Sequence, residues 1–265
     1  MEEQVTYETR DGIVWLTLSR PSKLNSLTLA GWRGIADGLA RAAEESPAPV
    51  VLTGAGSAFC AGDDIPSFNR VSTDRRRAEE FFVDGLYGTI EAIVTHPTPV
   101  IAAVNGIAYG GGLELVAAAD LAISAASARY SIPEGRLGVF AAVFGGLAPT
   151  MFGYKQANAV AYTMPVLTPA DALALGLVNT VVPDADLNAE VNDLIRDMLA
   201  SSPQSLSQTK RLLSAEARER GLPRVKASLQ TLVDDFLGTE NVVQGTNAFV
   251  EKRRPDFGWG SASRE

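Results

Sequence analysis

The sequence predicts an α/β fold, and three observations carry that expectation. Gly12 to Arg20 (GIVWLTLSR) alternates in polarity and is rich in β-branched residues, which is the pattern of a strand. Pro49 to Gly56 (PVVLTGAG) and Pro99 to Gly106 (PVIAAVNG) are apolar runs stopped by glycine, as expected of strands buried on both faces. Between them, Leu29 to Glu45 and roughly Thr73 to Val94 carry apolar residues at helical spacing. Strand, helix, strand predicts crossover connections and a layered core.

Further along, DLAIS (Asp120 to Ser124) and LVNTVV (Leu177 to Val182) read as short strands. LTPADALALGLV places Thr168 as N-cap, Pro169 at the first helical position and Gly176 just past the end of a short helix. After Pro183 the pattern changes. Leu187, Val191, Leu194, Ile195, Met198 and Leu199 form one helical face, and helical segments continue to about Lys252 without a strand signal. The reading divides the chain into an α/β core over 1–200 and a helical region over 201–265, ending in a frayed tail, GWGSASRE.

With 265 residues, 46% hydrophobic and 20% charged, the chain can build a large core, and its net charge of -8 argues against nucleic acid as a partner. A local basic patch for one small anion stays open. The segment MEEQVTYETRDG has no basic n-region and no apolar h-region, and no later run is long enough to span a membrane, so a cytoplasmic protein is expected. Cys60 is the single cysteine and His96 the single histidine, which excludes an intramolecular disulfide and a multi-thiolate zinc site. No metal is expected. His96, directly before Pro97, reads as a loop residue rather than a catalyst.

Two glycine-rich turns follow apolar strands: AFCAGDDI (Ala58 to Ile65) and AYGGGLEL (Ala108 to Leu115). Neither fits a nucleotide-binding fingerprint, and each alone is explained by a tight turn. Together they can aim free backbone N–H groups at one oxygen. In the second, Gly110, Gly111 and Gly112 lead into a helix expected to begin around Leu113, whose first amides lack intrahelical partners.

Glu114 follows Gly111 by three residues, close to one helical turn, so carboxylate and amide can face one side. Its bland reading is a first-turn acid facing water, but the flanking GGGL and LVAAA leave little room for a polar face. A second carboxylate, Glu134, lies in RYSIPEGRLGV. There Ser131 and Glu134 match a capping box, weakened by two glycines in the following four residues. Arg75 to Arg77 read as a solvated helix face or a phosphate contact, Trp15 and Trp32 as core, and Cys60 as buried and inert.

At this point the chain resembles the enoyl-CoA hydratase/isomerase (crotonase) family over nearly its whole length. The resemblance runs from LSRPSKLNSL (Leu18 to Leu27) through LTGAGSAFCAGDDI and AAVNGIAYGGGLELVAAADLAIS to AFVEKRRPDF (Ala248 to Phe257). It implies a spiral of repeated β-β-α units and a C-terminal helical region used in trimer formation, often as a dimer of trimers. It also implies an acyl-CoA thioester as substrate, with coenzyme A entering as part of it and no separate cofactor. The oxyanion amides fall by position on Asp63 and Gly111, and the paired glutamates of family hydratases on Glu114 and Glu134. Because family isomerases manage with the later carboxylate alone, the pair favours addition of water to a trans-2-enoyl-CoA.

The resemblance further places CoA contacts at Lys23, Ala61, Asp64, Ile65 and Gly110, with Phe249 and Lys252 as candidates for completing a neighbouring subunit's site. Three departures accompany it. Asp63 puts an acid at an oxyanion position, and its carboxylate is expected to point away. Pro66 stands where many members carry a lysine near the nucleotide, so Lys23 or the arginines would meet the phosphates. The turn after Glu134 brings Phe140 and Phe144, expected to shape the acyl pocket. The alternatives are a double-bond isomerase, other acyl-CoA enolate chemistry, and a CoA-binding protein without activity. A Ser–His hydrolase is disfavoured, because His96 sits outside both glycine turns.

Overall fold

The computed structural model describes residues 4–258. Among these, nine strands form two sheets. The larger has the order β1 (Val5–Arg10), β2 (Ile13–Leu18), β3 (Val50–Gly54), β5 (Val100–Val104), β7 (Leu121–Ala125) and β9 (Thr180–Val182). The smaller has β4 (Ala58–Cys60), β6 (Ile107–Tyr109) and β8 (Arg129–Ser131). Only β1 and β2 pair antiparallel; the other pairs are parallel. A long strand in the large sheet, a short strand in the small one, and then a helical segment is the repeating unit. β3 with β4 and β5 with β6 are successive turns of that spiral.

The large sheet is covered on both faces, as its apolar strands require. Val14, Leu16, Val50, Leu52, Val100 and Ala102 face the main core, whereas Trp15, Val51, Ile101, Ala103 and Ile123 face a smaller cluster closed by Leu187, Val191 and Ile195. The helix Leu187–Leu199 thus buries the face that its spacing predicts.

The helix Leu29–Glu45 has its predicted bounds, and so does the capped helix Pro169–Leu175, where Thr168 Oγ1 accepts from the Asp171 amide at 3.2 Å. The stretch expected over 73–94 is helical over Arg75–Thr95, but with a π-helical middle, Glu79–Tyr87. Gly85 lets that segment press on Leu29–Glu45: a Cβ there would stand 2.7 Å from a Leu29 methyl. The strand expected at Leu177 starts at Thr180, because Leu177 and Val178 are buried in the main core.

β1 lacked a sequence signal because only Val5 in it is buried, and three-residue strands such as β4, β6 and β8 are too short to show alternation. The capping box does not form. Ser131 ends β8, and Glu134 opens a short 3-10 turn, Glu134–Leu137, after Pro133.

Beyond residue 200 the helices Pro203–Leu213, Leu222–Thr231 and Glu240–Val250 continue as expected. Leu222, Val225, Leu229 and Val242 belong to the main core. Of the tail expected to fray, residues 259–265 lie outside the described part. His96 ends the helix Gly88–Thr95 and is buried, with Nδ1 2.9 Å from the Thr98 carbonyl and Nε2 3.2 Å from that of Leu39. It is a loop residue, as its place before Pro97 predicts. No helix among the described residues is long and apolar enough to cross a membrane.

Candidate active site

The two glycine-rich turns meet. A Cβ on Gly62 would lie 3.4 Å from the Gly111 amide nitrogen and 2.8 Å from the Tyr109 carbonyl, and one on Gly112 would lie 2.2 Å from the Cys60 carbonyl. Such backbone contact is open only to glycine. Gly62 and Gly110 also hold positive φ, 90° and 52°, which L side chains rarely adopt.

The helix after the second turn runs Gly111–Ala118, two residues earlier than its sequence suggests, so the Gly111 N–H is a first-turn amide with no intrahelical acceptor. In the first turn, the Ala61 and Asp64 amides donate to the carbonyls of Leu24 and Leu27, at 2.9 and 2.8 Å. These bonds fix the backbone on either side of Asp63. The supporting segment depends on Asn25, whose amide donates to the Ala55 and Ala58 carbonyls while its Oδ1 accepts from the Arg20 amide. Those bonds hold Leu24 and Asn25 at φ 50° and 57°, an otherwise unfavourable pair.

Glu114 does not escape to water: it is 4% exposed. Its Oε1 accepts from the Phe144 amide at 3.2 Å, at the start of the helix Ala142–Leu147. Glu134 reaches the same cavity from the other side. Its Oε1 would stand 3.0 Å from a Cβ on Gly110, and its Oε2 is buried without a hydrogen-bond partner. Burial drives the Glu114 pKa well above the ordinary carboxylate range, and the charges of Glu134 and then Asp63 add to this, against the Phe144 and Val143 amides. Glu134 is raised too, again mainly by burial, with Asp63 adding. With both pKa values raised by burial and the Glu134 charge bearing on Glu114, the two carboxyls do not both ionise freely near neutral pH.

Asp63 is the third carboxyl. Its Oδ1 accepts from the Trp32 indole N–H at 2.8 Å, and its pKa is pushed up to about 7 by burial, with the Asp64 charge adding and the indole bond opposing. Cys60, beneath the turn, is buried with its thiol pushed up to about 12 by desolvation, consistent with an inert core residue.

These groups line one cavity of about 350 Å³. Lys23, Ala61, Asp63, Asp64, Ile65, Gly110, Gly111, Glu114, Glu134, Phe140 and Phe249 all border it. One expectation needs correction. Phe144 does not line this cavity; its ring is 2% exposed, packs 5.8 Å from Phe152 and borders an adjoining space, while its amide bonds Glu114.

Phe249 lines this chain's own cavity, because Glu240–Val250 docks on the Glu134 turn. The docking is tight: a Cβ on Gly245 would meet Leu137 backbone at 2.3 Å, and one on Gly138 the Asn241 carbonyl at 2.2 Å. Lys252 follows that helix, is exposed and does not border the cavity. Nor do the arginines, which are paired with acids: Arg75 with Glu79 and Asp234, Arg76 with Glu80, and Arg77 with Asp74.

Sequence reasoning missed much of the apolar wall: Phe82 and Leu86 from the π-helical segment, and Leu229 and Leu232 from the C-terminal helices. Their spacing reads as ordinary core, and only the tertiary fold shows which of them border a void. The role of the Trp32 indole N–H was likewise hidden, since an aromatic residue on the apolar face of a helix reads simply as core.

A spiral of β-β-α units with two glycine turns meeting over buried carboxyls makes this an α/β protein of the crotonase fold. The chain matches the family model described as enoyl-CoA hydratase/isomerase over residues 8–260. It is 31% identical over 263 residues to a crotonyl-CoA hydratase of Syntrophomonas wolfei subsp. wolfei, covering 96% of this chain and 98% of that one. Among solved structures it is similar to an enoyl-CoA hydratase from Mycobacterium avium subsp. paratuberculosis K-10, with TM-score 0.80 and 29% identity over 96% of this chain and 98% of that chain. An enoyl-CoA hydratase/isomerase from Mycobacterium paratuberculosis superposes with TM-score 0.85 at 27% identity, covering 93% and 98% of the respective chains. The chain belongs to the enoyl-CoA hydratase/isomerase family of enzymes.

Proposed function

We propose that this enzyme adds water across the 2,3 double bond of a trans-2-enoyl-CoA. The observation that carries the reading is the pair Glu114, buried, and Glu134, half-buried with its Oε2 enclosed, on one cavity beside the Gly111 amide. In this reading the Asp63 and Gly111 N–H groups receive the thioester oxygen. Each well-aimed donor contributes about 2.7–4 kcal/mol to the developing oxyanion. Lys23, Ala61, Asp64, Ile65 and Gly110 are assigned to coenzyme A, and Phe140 with Phe82, Leu86, Leu229 and Leu232 to the acyl chain.

The chemistry follows from one proton held between two carboxyls. The ionised member takes a proton from water as its oxygen bonds to Cβ. The π pair moves through Cα to the thioester oxygen, forming an enolate. The protonated member then delivers its proton to Cα as the carbonyl reforms. One proton enters the pair and one leaves, so its net charge is unchanged and there is no redox change; the proton then passes back to the other carboxyl before the next cycle. Neither carboxyl completes the cycle alone.

Loss of the conjugated thioester absorbance on incubation with crotonyl-CoA and longer 2-enoyl-CoAs tests the proposal. Turnover with a 3-hydroxyacyl product is the expected result. Tight binding of CoA esters with no turnover across the panel overturns it, as does double-bond isomerisation that survives Glu114→Ala in a parent that never hydrates. We further propose assembly as a trimer or dimer of trimers, supported by Leu212 and Leu213, 76% and 81% exposed on one helix.

A further inference from the structure

Trp32 touches both members of the amide pair. It sits in the helix Leu29–Glu45, outside both glycine turns, and is fully buried. Its indole N–H donates to Asp63 Oδ1 at 2.8 Å, while its six-membered ring closes on Gly111, where a Cβ would stand 2.8 Å from Cζ2 and 3.1 Å from Cη2. The tryptophan is itself held from behind: the Thr89 hydroxyl donates to its carbonyl at 2.7 Å, and a Cβ on Gly85 would stand in ordinary van der Waals contact with its Cβ, at 3.5 Å.

We propose that Trp32 is a positioning residue for catalysis, one rigid side chain that sets the spacing of the Asp63 and Gly111 amides and holds the Asp63 carboxyl off the oxyanion position. This rests on the hydratase reading above.

The physical need is specific to this sequence. An acid at residue 63 places a second negative charge beside an oxygen that becomes negative only as the enolate forms. Turned toward the cavity, the carboxylate would oppose the transition state while leaving the neutral ground-state thioester nearly untouched. The indole bond ties Oδ1 to Trp32, 3.8 Å from where a Gly111 Cβ would stand, and so opposes that conformer. Asp64, Glu114 and Glu134 are the charged groups that bear on Asp63, and because burial holds its proton up to about pH 7, the need for restraint grows as pH rises through that value. A ring filling space without an N–H could not supply the restraint. A loss of Trp32 function therefore belongs in kcat and should depend on Asp63.

The test is a double-mutant cycle on the full-length enzyme, with kcat and KM for crotonyl-CoA measured separately from pH 6 to pH 9. For Trp32→Phe alone, kcat is expected to fall about 10- to 100-fold with KM changed less than about threefold, the fall deepening toward pH 9. In the Asp63→Ala background the same replacement is expected to change kcat by less than about threefold. Equal losses in both backgrounds, a loss independent of pH, or a loss in KM alone overturns the proposal.

Should Trp32→Phe not fold, indole ¹H–¹⁵N resonances of the wild type decide. One is expected to titrate with pH, to stop titrating in Asp63→Asn, and to shift on adding butyryl-CoA, a saturated thioester that cannot be hydrated. The absence of such a resonance overturns the role of Trp32. Failure of the hydratase reading looks different: butyryl-CoA binds and moves this resonance, yet no enoyl-CoA is consumed.

Discussion

Glu114 Oε1 accepts a hydrogen bond from the amide of Phe144, 3.2 Å away and thirty residues later in the chain. One end of the carboxyl pair is thereby tied to the turn that follows the other, so the helix Ala142–Leu147 and the Glu134 turn position the two acids together. Glu114→Gln keeps the size and the acceptor but cannot exchange a proton. It is expected to lower kcat for hydration by about 10²–10⁴-fold while leaving KM for crotonyl-CoA within a few-fold. Steady-state kinetics against wild type check this.

Phe140 and Phe144 separate cleanly. Phe140 borders the cavity and meets the Phe236 ring edge-on at 4.8 Å, so Phe140→Ala is expected to shift the preference among 2-enoyl-CoAs toward longer chains. Phe144→Ala retains the amide that bonds Glu114 but empties a buried site. Its expected cost is about 3–5 kcal/mol of stability with chain-length preference preserved. Thermal unfolding and a substrate series, run on both variants, distinguish the two roles.

Three carboxyls with pKa values raised by desolvation make the folded state bind protons that the unfolded chain has released. For Asp63 the interval runs from its ordinary 3.8 to about 7. Stability is therefore fullest below the lower value and declines as pH rises through the upper one. The melting temperature is expected to fall by roughly 4–8 °C between pH 5.5 and pH 8.5. Asp63→Asn should flatten that slope, and calorimetry at several pH values measures it.

Gly112→Ala places a methyl 2.2 Å from the Cys60 carbonyl, backbone against backbone, where no flexible side chain can yield. The expected result is loss of the folded protein or a cost of several kcal/mol. Gly145→Ala, with nothing within 4 Å of the added methyl, is the control and should melt close to wild type.

The proposed assembly predicts a mass near three or six times 28.0 kDa by light scattering. Leu213→Glu, at a side chain 81% exposed, should reduce that mass while leaving the circular dichroism of the subunit unchanged.

Much of this site was legible because its chemistry depends on glycines and acids in places where a plain core would hold neither. Glu114 amid Leu, Val and Ala is an anomaly that periodicity exposes, and the glycine turns mark where two backbones meet. Residues whose function coincides with packing were not legible: Leu229 and Leu232 look like any helical core, and Phe144 acts through an amide, which every residue except proline carries. The helix Leu29–Glu45 was read correctly, yet nothing in its pattern distinguishes Trp32 from a residue that only fills space. That Phe249 borders this chain's own cavity was not legible either, because sequence cannot tell which copy of the site a helix reaches.

The docking of Glu240–Val250 on the Glu134 turn has a consequence for how the enzyme is made. Both glutamates and both glycine turns leave the ribosome long before Leu229, Leu232 and Phe249 are translated. The nascent chain therefore carries its complete set of acids before the residues that wall one side of the cavity exist. A ribosome stalled between the Glu134 turn and Leu229 would display the chemical groups without the dry enclosure that raises their pKa values. The enclosure of the acids is thus completed late in synthesis, by helices encoded downstream of them.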